Sequence, residues 1–325
     1  MAKINWGIIG CGNVTEKKSG PAFNKVANSS LVAVMRRDAE KAADYAQRHQ
    51  VENWYGSADD LMDNKNINAI YIATPPASHS SYAIAALQNG FNVYIEKPVT
   101  RNAKEARQIA ETLKLYPHLK LTVAHYRRAV PMFLKVKALL EASTIGDIRT
   151  VQIRMWQSRK PKLIAETKEN WRLNPELSGG GYFHDLAPHQ LDLMLFYFGE
   201  PESYHGFSLN QAKSSPADDH VCGQILFKNK IVVNGSWCFN VAENQTTDTC
   251  EIIGTLGSIT FPFFGNYIHI KTDNSDETIT FTHPEHIQQP MIEKIVAYFN
   301  NEAANPCSIE EAIVLMDVMD AFTGK

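Results

Sequence analysis

The chain has 325 residues, of which 44% are hydrophobic and 21% are charged, and its formal net charge is −3 at pH 7. This composition is typical of a soluble globular protein, and the length predicts two domains. The absence of a basic excess argues against a nucleic-acid partner, and no apolar run approaches the ~20 residues that a membrane span requires.

The cysteines favour a reducing environment. Their number, five, is odd, and no two of them form a Cys-x-x-Cys pair, which argues against a disulfide framework and predicts a cytoplasmic protein. They are Cys11, Cys222, Cys238, Cys250 and Cys307. Because the opening residues already belong to a predicted strand, no signal peptide is expected ahead of them.

The first predicted strand, Trp6–Ile9, runs directly into a glycine turn. A dinucleotide-binding βα unit begins in this way, because one glycine makes the tight turn and the next lets backbone N–H groups approach a pyrophosphate. The turn therefore predicts NAD or NADP binding; the alternative is an ordinary βα turn that binds nothing. Thr15 departs from the usual small residue at the third position of this pattern. The predicted contacts are Gly10, Cys11, Gly12, Asn13 and Val14.

The second predicted strand, Leu31–Met35, is followed by Arg36, Arg37 and Asp38. NAD-binding units usually place an acid here for the ribose hydroxyls, whereas two guanidinium groups suit a 2′-phosphate. We therefore expect NADP rather than NAD. In the alternative, Asp38 is a displaced ribose ligand or simply caps the next helix, and the arginines lie in solvent.

Strand and helix signals continue to alternate up to residue 124. A helix is expected to restart near Pro21, where proline suits a first turn. The further predicted helices are Ala39–Arg48, Ala58–Met62, Ser80–Asn89 and Lys104–Leu115, and the further strands are Ala69–Ala73, Asn92–Ile95 and Lys120–Ala124. This alternation predicts a Rossmann-type α/β domain over 1–124, with a parallel sheet and helices on both faces.

Two segments follow strands of this sheet, at the carboxyl edge where ligands of such sheets bind. Thr74, Pro75 and His79 follow the third strand and are predicted to contact the cofactor, although His79 is also consistent with a helix N-terminal residue. Glu96 and Lys97 follow the fourth strand and are likewise predicted to contact the cofactor. A lysine here can bond a substrate oxygen and stabilise developing negative charge; the alternative is a surface ion pair of little energy.

The pattern changes after residue 124. The predicted helices are Pro131–Leu140, Ala187–Phe198, Pro290–Asn300 and Ser308–Phe322, and the strands include Arg149–Trp156, His220–Phe227, Ile231–Phe239, Thr249–Ile253 and Glu277–Phe281. Strands at this spacing predict an α+β domain over 125–325 with a large, mostly antiparallel, open sheet backed by helices. The other face of that sheet needs cover, so a homodimer or homotetramer formed through it is expected.

A triple glycine, Gly179 to Gly181, precedes Asp185 and His189. The glycines indicate close backbone approach to a ligand or to another strand. On a continuous helix Asp185 and His189 share a face, and an aspartate that orients an imidazole equips it as a general acid or base. In the alternatives Asp185 is a helix cap and His189 a core residue. A metal site formed with His184 lacks further ligands, so no metal is predicted.

Taken together, the order and spacing of these segments resemble the Gfo/Idh/MocA oxidoreductase family over nearly the whole chain. The resemblance implies a Rossmann domain followed by an α+β domain on an open antiparallel sheet, often used for oligomerisation. It also implies NAD(P)-dependent hydride transfer at a hydroxyl-bearing carbon of a sugar, polyol or cyclitol. A regulator that senses the dinucleotide on the same fold without turnover is the alternative.

The resemblance also assigns roles by position. Lys97 matches the lysine that contacts the substrate hydroxyl and the nicotinamide ribose, His189 the catalytic histidine, and Asp185 its paired acid. Tyr126 and Arg127, and likewise Trp171 and Arg172, resemble segments that approach substrate. Substrate choice is expected to depend on the loops around 156–180, for which a single sequence offers no code.

Overall fold

The computed structural model describes residues 2–164 and 170–325, so part of the loop expected to select substrate, 165–169, lies outside the described residues. The strands are β1 (Ile4–Ile9), β2 (Ser29–Met35), β3 (Asn53–Tyr55), β4 (Ala69–Ile72), β5 (Asn92–Ile95), β6 (Leu121–Val123), β7 (Ile148–Trp156), β8 (Pro201–Leu209), β9 (His220–Phe227), β10 (Val232–Cys238), β11 (Thr247–Gly254), β12 (Gly257–Phe261), β13 (Tyr267–Thr272) and β14 (Ser275–Thr280). The helices are α1 (Asn13–Lys17), α2 (Ala39–His49), α3 (Ala58–Met62), α4 (His79–Gln88), α5 (Ala103–Leu115), α6 (Pro131–Glu141), α7 (Pro175–Ser178), α8 (Gly181–Phe198), α9 (Gln289–Phe299) and α10 (Ile309–Thr323).

The chain divides into two compact units. The first comprises the chain up to Ala129 together with Pro284–Val314, and the second comprises Val130–His283 together with Leu315–Lys325. This division differs from the predicted domains, 1–124 and 125–325, because Pro284–Val314 returns to the first unit. Contacts made by a distant stretch of chain leave no signal in local periodicity.

The first unit is built on a six-stranded sheet in the order β3-β2-β1-β4-β5-β6, with every pairing parallel. The predicted Rossmann-type sheet is confirmed. Because the strands are parallel, the segments that follow β1, β2, β4 and β5 meet at one edge. One face of the sheet carries an aromatic cluster, in which Trp6 lies 4.8 Å from Phe23 and Tyr71 lies 4.8 Å from Tyr94, centroid to centroid.

The structure of this unit differs from the sequence-based expectation at two places, the helix near Pro21 and the strand β3. The helix expected to restart near Pro21 is a 3-10 helix, Gly20–Asn24, with the proline in its first turn, and the glycine turn is followed by the separate five-residue α1. Proline has no N–H to continue an α-helical ladder, which accounts for the break. The edge strand β3 was not predicted, because three residues are too short to show an alternating pattern.

The second unit is built on an eight-stranded sheet in the order β14-β13-β12-β11-β7-β10-β9-β8. Only the pairing of β7 with β10 is parallel within this sheet, so the predicted mostly antiparallel sheet is confirmed. The predicted alternation along β7 holds, since Val151, Ile153 and Met155 are buried. The opposite face is more open and exposes Phe207, Leu209 and Tyr267.

Helix α8 begins six residues before the predicted start at Ala187 and continues through Pro188 without a break. Proline at this position removes one helical hydrogen bond, which would be made to the carbonyl of His184. Fourteen of the eighteen residues of α8 are buried, so packing outweighs the lost bond. Asp185 therefore lies inside the helix and is not its N-cap. Among the described helices, none combines the length and the hydrophobicity that crossing a bilayer requires.

Candidate active site

The glycine turn after β1 depends on Gly10. Its φ is +98°, and a Cβ at this position would come within 2.9 Å of the backbone nitrogen of Thr74, which lies in the loop after β4. The N–H groups of Gly10 and Cys11 both donate to the carbonyl of Met35, at 2.9 and 3.1 Å. The turn is therefore locked between the two neighbouring strand ends.

Gly12 differs from Gly10 because its surroundings are open. Among residues 2–164 and 170–325, a Cβ there would have no neighbour closer than the Gly10 carbonyl, at 3.9 Å. Gly12 is the N-cap of α1, and the first backbone bond of this helix runs from the N–H of Thr15 to the carbonyl of Gly12. The N–H groups of Asn13 and Val14 precede that bond, and N–H groups in this position have no acceptor within their own helix. An open approach lined by N–H groups fits a dinucleotide pyrophosphate.

Two side chains at the turn, those of Cys11 and Thr15, are respectively uncharged and hydrogen-bonded within the protein. Burial raises the pKa of the Cys11 thiol to about 11, so the thiol stays protonated at neutral pH and the residue offers its backbone. The buried Thr15 hydroxyl donates to the Gly12 carbonyl at 2.8 Å. Threonine at the third position of the glycine pattern is thus accommodated by a local hydrogen bond.

Alanine substitutions at Gly10 and Gly12 form a matched pair with opposite expected results. Gly10→Ala should destabilise the fold by about 1–3 kcal/mol, because it forces a positive φ and a close backbone contact. Gly12→Ala should leave stability within about 0.5 kcal/mol but weaken dinucleotide binding by roughly tenfold or more, since a methyl group would occupy the approach. Urea unfolding and a cofactor titration measure the two effects. Unchanged cofactor affinity in Gly12→Ala would exclude this turn as the pyrophosphate site.

The residues after β2 differ in their contacts. Arg36 donates from Nη1 to the Cys11 carbonyl at 3.4 Å, which holds its guanidinium beside the glycine turn, and Arg37 is exposed. Asp38 caps α2 by accepting from the N–H of Lys41 at 3.2 Å, and its carboxylate pairs with Lys41 Nζ at 2.6 Å. These bonds to Lys41 lower the pKa of Asp38. Asp38 therefore has the capping role that the sequence left open.

His79 was predicted to contact the cofactor, but the structure engages both of its ring nitrogens internally. Nε2 lies 2.7 Å from the Thr74 carbonyl and Nδ1 lies 3.0 Å from the Pro98 carbonyl. Burial lowers the pKa of the imidazole, so the ring is neutral at neutral pH and can donate to only one of these carbonyls. The ring ties the loop after β4 to the turn after β5.

Glu96 was also predicted to contact the cofactor, but its carboxylate is buried and accepts hydrogen bonds from the protein itself. Its Oε1 accepts from the Tyr71 hydroxyl at 2.5 Å and from Gln288 Nε2 at 2.7 Å, while Oε2 accepts from the N–H of Lys97 at 3.1 Å. Burial and the Glu96 charge raise the pKa of Tyr71 well above its usual value, so this phenol stays a donor. Glu96 thereby fixes the backbone from which the half-buried Lys97 extends.

The segment after β6 is less exposed than its arginines suggest. Tyr126 and Arg127 belong to a 3-10 turn, Tyr126–Ala129, and both are buried. The Arg127 guanidinium carbon lies 5.4 Å from the centre of the Tyr126 ring. Their predicted substrate contacts stay a prediction.

The start of α8 explains the triple glycine without a ligand. A Cβ at Gly180 would fall 2.3 Å from Nδ1 of His184, and Gly181 has a φ of +74° with Ala217 against it. Burial lowers the pKa of His184 to about 3, so this ring stays neutral and is unsuited to acid–base chemistry at neutral pH. The close approach is to neighbouring protein atoms.

Asp185 and His189 lie one helical turn apart on α8, as predicted. Asp185 Oδ2 accepts from Arg172 Nε at 2.7 Å, and the Arg172 guanidinium carbon lies 4.6 Å from the centre of the Trp171 ring. The ring of His189 is buried and packs edge-on against Phe264, with centroids 5.6 Å apart. The Arg172 contact was not predicted, because the sequence places that residue with substrate and gives no sign of its partner.

Comparisons with known proteins identify the family of the chain. The family model described as an oxidoreductase family with an NAD-binding Rossmann fold matches residues 4–125, and the GFO/IDH/MocA C-terminal domain matches residues 133–260. Oxidoreductase P35 of Formosa agariphila is 50% identical over 323 residues, which cover 99% of each chain.

Two further comparisons concern levoglucosan dehydrogenase. The enzyme of Pseudarthrobacter phenanthrenivorans is 25% identical over 296 residues, which cover 81% of this chain and 74% of that protein. A solved structure of levoglucosan dehydrogenase in complex with NADH has a TM-score of 0.86 at 21% identity and covers 98% of this chain and 96% of the other, which shows a shared fold. By both its family models and its full-length relative, the chain belongs to the GFO/IDH/MocA family of oxidoreductases.

Proposed function

We propose that the chain transfers a hydride between NADP and a hydroxyl-bearing carbon of a sugar, polyol or cyclitol. The observation that carries the proposal is the carboxyl edge of the first sheet, where the open Gly12 approach, Arg36, Thr74 and Lys97 follow neighbouring strands. A sugar substrate is supported by the similarity to levoglucosan dehydrogenase.

Each proposed role follows from the chemistry of its side chain. A bound nicotinamide supplies the hydride chemistry, and the protein supplies positioning and electrostatics. Lys97 donates to the substrate oxygen and stabilises its alkoxide character, while His189 takes the hydroxyl proton in the oxidation direction. Asp185 orients His189 or a neighbouring hydroxyl. Tyr126, Arg127 and Trp171 are proposed substrate contacts.

The proposed cofactor contacts follow β1, β2, β4 and β5 at the carboxyl edge of the first sheet. They are the backbone of Gly10, Cys11, Gly12, Asn13 and Val14, the guanidinium groups of Arg36 and Arg37, the loop residues Thr74 and Pro75, and Lys97. His79 holds Thr74, and Glu96 holds Lys97, through internal hydrogen bonds.

The test is a panel of polyols and aldoses assayed with NADP+ and with NAD+ by nicotinamide absorbance. We expect turnover with at least one neutral polyol and a preference for NADP+. Tight cofactor binding without turnover on any member of the panel would contradict the proposal and would support a dinucleotide-sensing regulator.

The preference for NADP has its own test in Arg36 and Arg37. Charge-assisted hydrogen bonds to a 2′-phosphate contribute about 1.5–3 kcal/mol each, so Arg36→Ala and Arg37→Ala should each raise the dissociation constant for NADP+ by roughly 10- to 100-fold. The dissociation constant for NAD+ should change little. Fluorescence titration of both nucleotides measures this difference. If Asp38 is instead a ribose ligand, Asp38→Ala will weaken NAD+ more than either arginine variant weakens NADP+.

The open face of the second sheet supports a homo-oligomer. Phe207 and Leu209 on the edge strand β8 and Tyr267 on β13 are exposed large side chains on that face. These side chains lie near both edges of the face, so a second subunit that covers the whole sheet would bury all of them. We therefore propose that a homodimer or homotetramer forms there, and light scattering of the purified chain measures its mass.

A further inference from the structure

The turn that carries Trp171 and Arg172 is joined to α8 by a largely buried ion pair. Arg172 Nε lies 2.7 Å from Asp185 Oδ2, and only 15% and 17% of the two side chains are exposed. A charge-assisted hydrogen bond that is largely shielded from water is stronger than one on the surface, and removing one of its two partners is costly. The pair therefore constrains both the position and the charge of Asp185.

The guanidinium is also held by its surroundings. The Trp171 ring lies against it at 4.6 Å, and Asn170 Nδ2 donates to the Tyr182 hydroxyl on the first turn of α8 at 2.7 Å. These contacts fasten the turn to the same helix at two places.

A direct contact with substrate is the competing role for Arg172. Its Nη1 atom is buried without a hydrogen-bond partner among the described residues, so this atom could donate to a bound substrate.

We infer that Arg172 is a positioning residue, which keeps the Asp185 carboxylate ionised and oriented, rather than a residue that binds substrate itself. The inference rests on the proposed function, in which Asp185 orients His189 or a substrate hydroxyl. Removal of the guanidinium would take one charge-assisted hydrogen bond away from a largely buried carboxylate, which disfavours its ionised form. A protonated Asp185 would lose acceptor strength and its support of a charged imidazole.

A double-mutant cycle separates the two roles. The variants are R172Q, D185N, the double variant and R172K, and the control is R149Q, which breaks an Arg–Asp pair whose side chains are 62% and 81% exposed. Measurements are kcat, KM and the dissociation constant for NADP+. R172Q and D185N should each lower kcat by about 10- to 100-fold with little change in KM or cofactor affinity. The double variant should be no slower than D185N, R172K should recover part of kcat, and R149Q should match the wild type.

Arg172 would be shown to contact substrate if the effects of R172Q and D185N multiplied in the double variant, or if R172Q raised KM at unchanged kcat. Either result, obtained with an active wild-type enzyme, would contradict the positioning role of Arg172 and leave the proposed function intact. A wild-type enzyme that binds cofactor and turns over no polyol overturns the proposed function and this role together. If R172Q does not fold, R172K and D185N still test the inference. R172K keeps the positive charge beside Asp185, so a kcat of R172K as low as that of D185N would contradict the positioning role.

Discussion

Replacement of Lys97 by alanine is expected to lower kcat by about 10²-fold or more while the dissociation constant for NADP+ changes little. The ammonium group is proposed to donate to the oxygen on which negative charge develops, and loss of such a donor typically costs this much in the transition state. The lysine backbone is fixed by the bond from its N–H to Glu96, so the substitution leaves the turn in place. Steady-state kinetics and a cofactor titration measure the two quantities.

Lys104→Ala is the matched control, because Lys104 is an exposed lysine on α5 of the same unit. This variant should retain the kinetics of the wild type. Lys97→Arg keeps the positive charge but changes the donor geometry and should be intermediate. Turnover near that of the wild type in Lys97→Ala would remove this residue from the mechanism.

Replacement of His189 by alanine is expected to lower kcat by about 10²- to 10⁴-fold, the range typical of a general base. In the oxidation direction the ring must be unprotonated to take the hydroxyl proton, so the rate of the wild type should fall on the acid side of its pH profile. The residual rate of His189→Ala should lack that fall. The measurement is kcat/KM against pH for both enzymes.

The control for this variant is His118→Ala, which removes an exposed imidazole outside the proposed site. It should reproduce both the rate and the pH profile of the wild type. His189→Asn keeps a polar group in the buried position beside Phe264 and separates loss of the base from loss of packing. A pH profile in His189→Ala with the same acid-side fall would assign the titrating group to another residue.

The sequence predicted those features that depend on a few neighbouring residues. The Gly10 turn could be recognised because a positive φ and a close backbone contact exclude other residues, and the alternation along β7 follows directly from the period of a strand. The start of α8 was missed, because Pro188 argues locally for a break and only tertiary packing outweighs it. Local propensity is a weak guide where burial decides.

The partners of the predicted site residues could not be predicted for a different reason. His79 and Glu96 stand at the correct strand ends, yet their polar atoms are engaged by carbonyls, a phenol and Gln288. Gln288 lies 192 residues from Glu96 in the sequence, and no periodic pattern links the two. A motif thus locates a site, while the direction in which each side chain faces depends on long-range packing.

The return of Pro284–Val314 to the first unit limits how this protein can be made. The amide of Gln288 completes the hydrogen bonds of Glu96, and the Cys307 carbonyl accepts from the N–H of Val123 in the last strand of the first sheet at 3.0 Å. During synthesis on the ribosome, these bonds of the first unit can form only after nearly the entire polypeptide has emerged. A shortened gene that ends after β6 would therefore yield a Rossmann fragment with an exposed flank and an unsupported Lys97 turn.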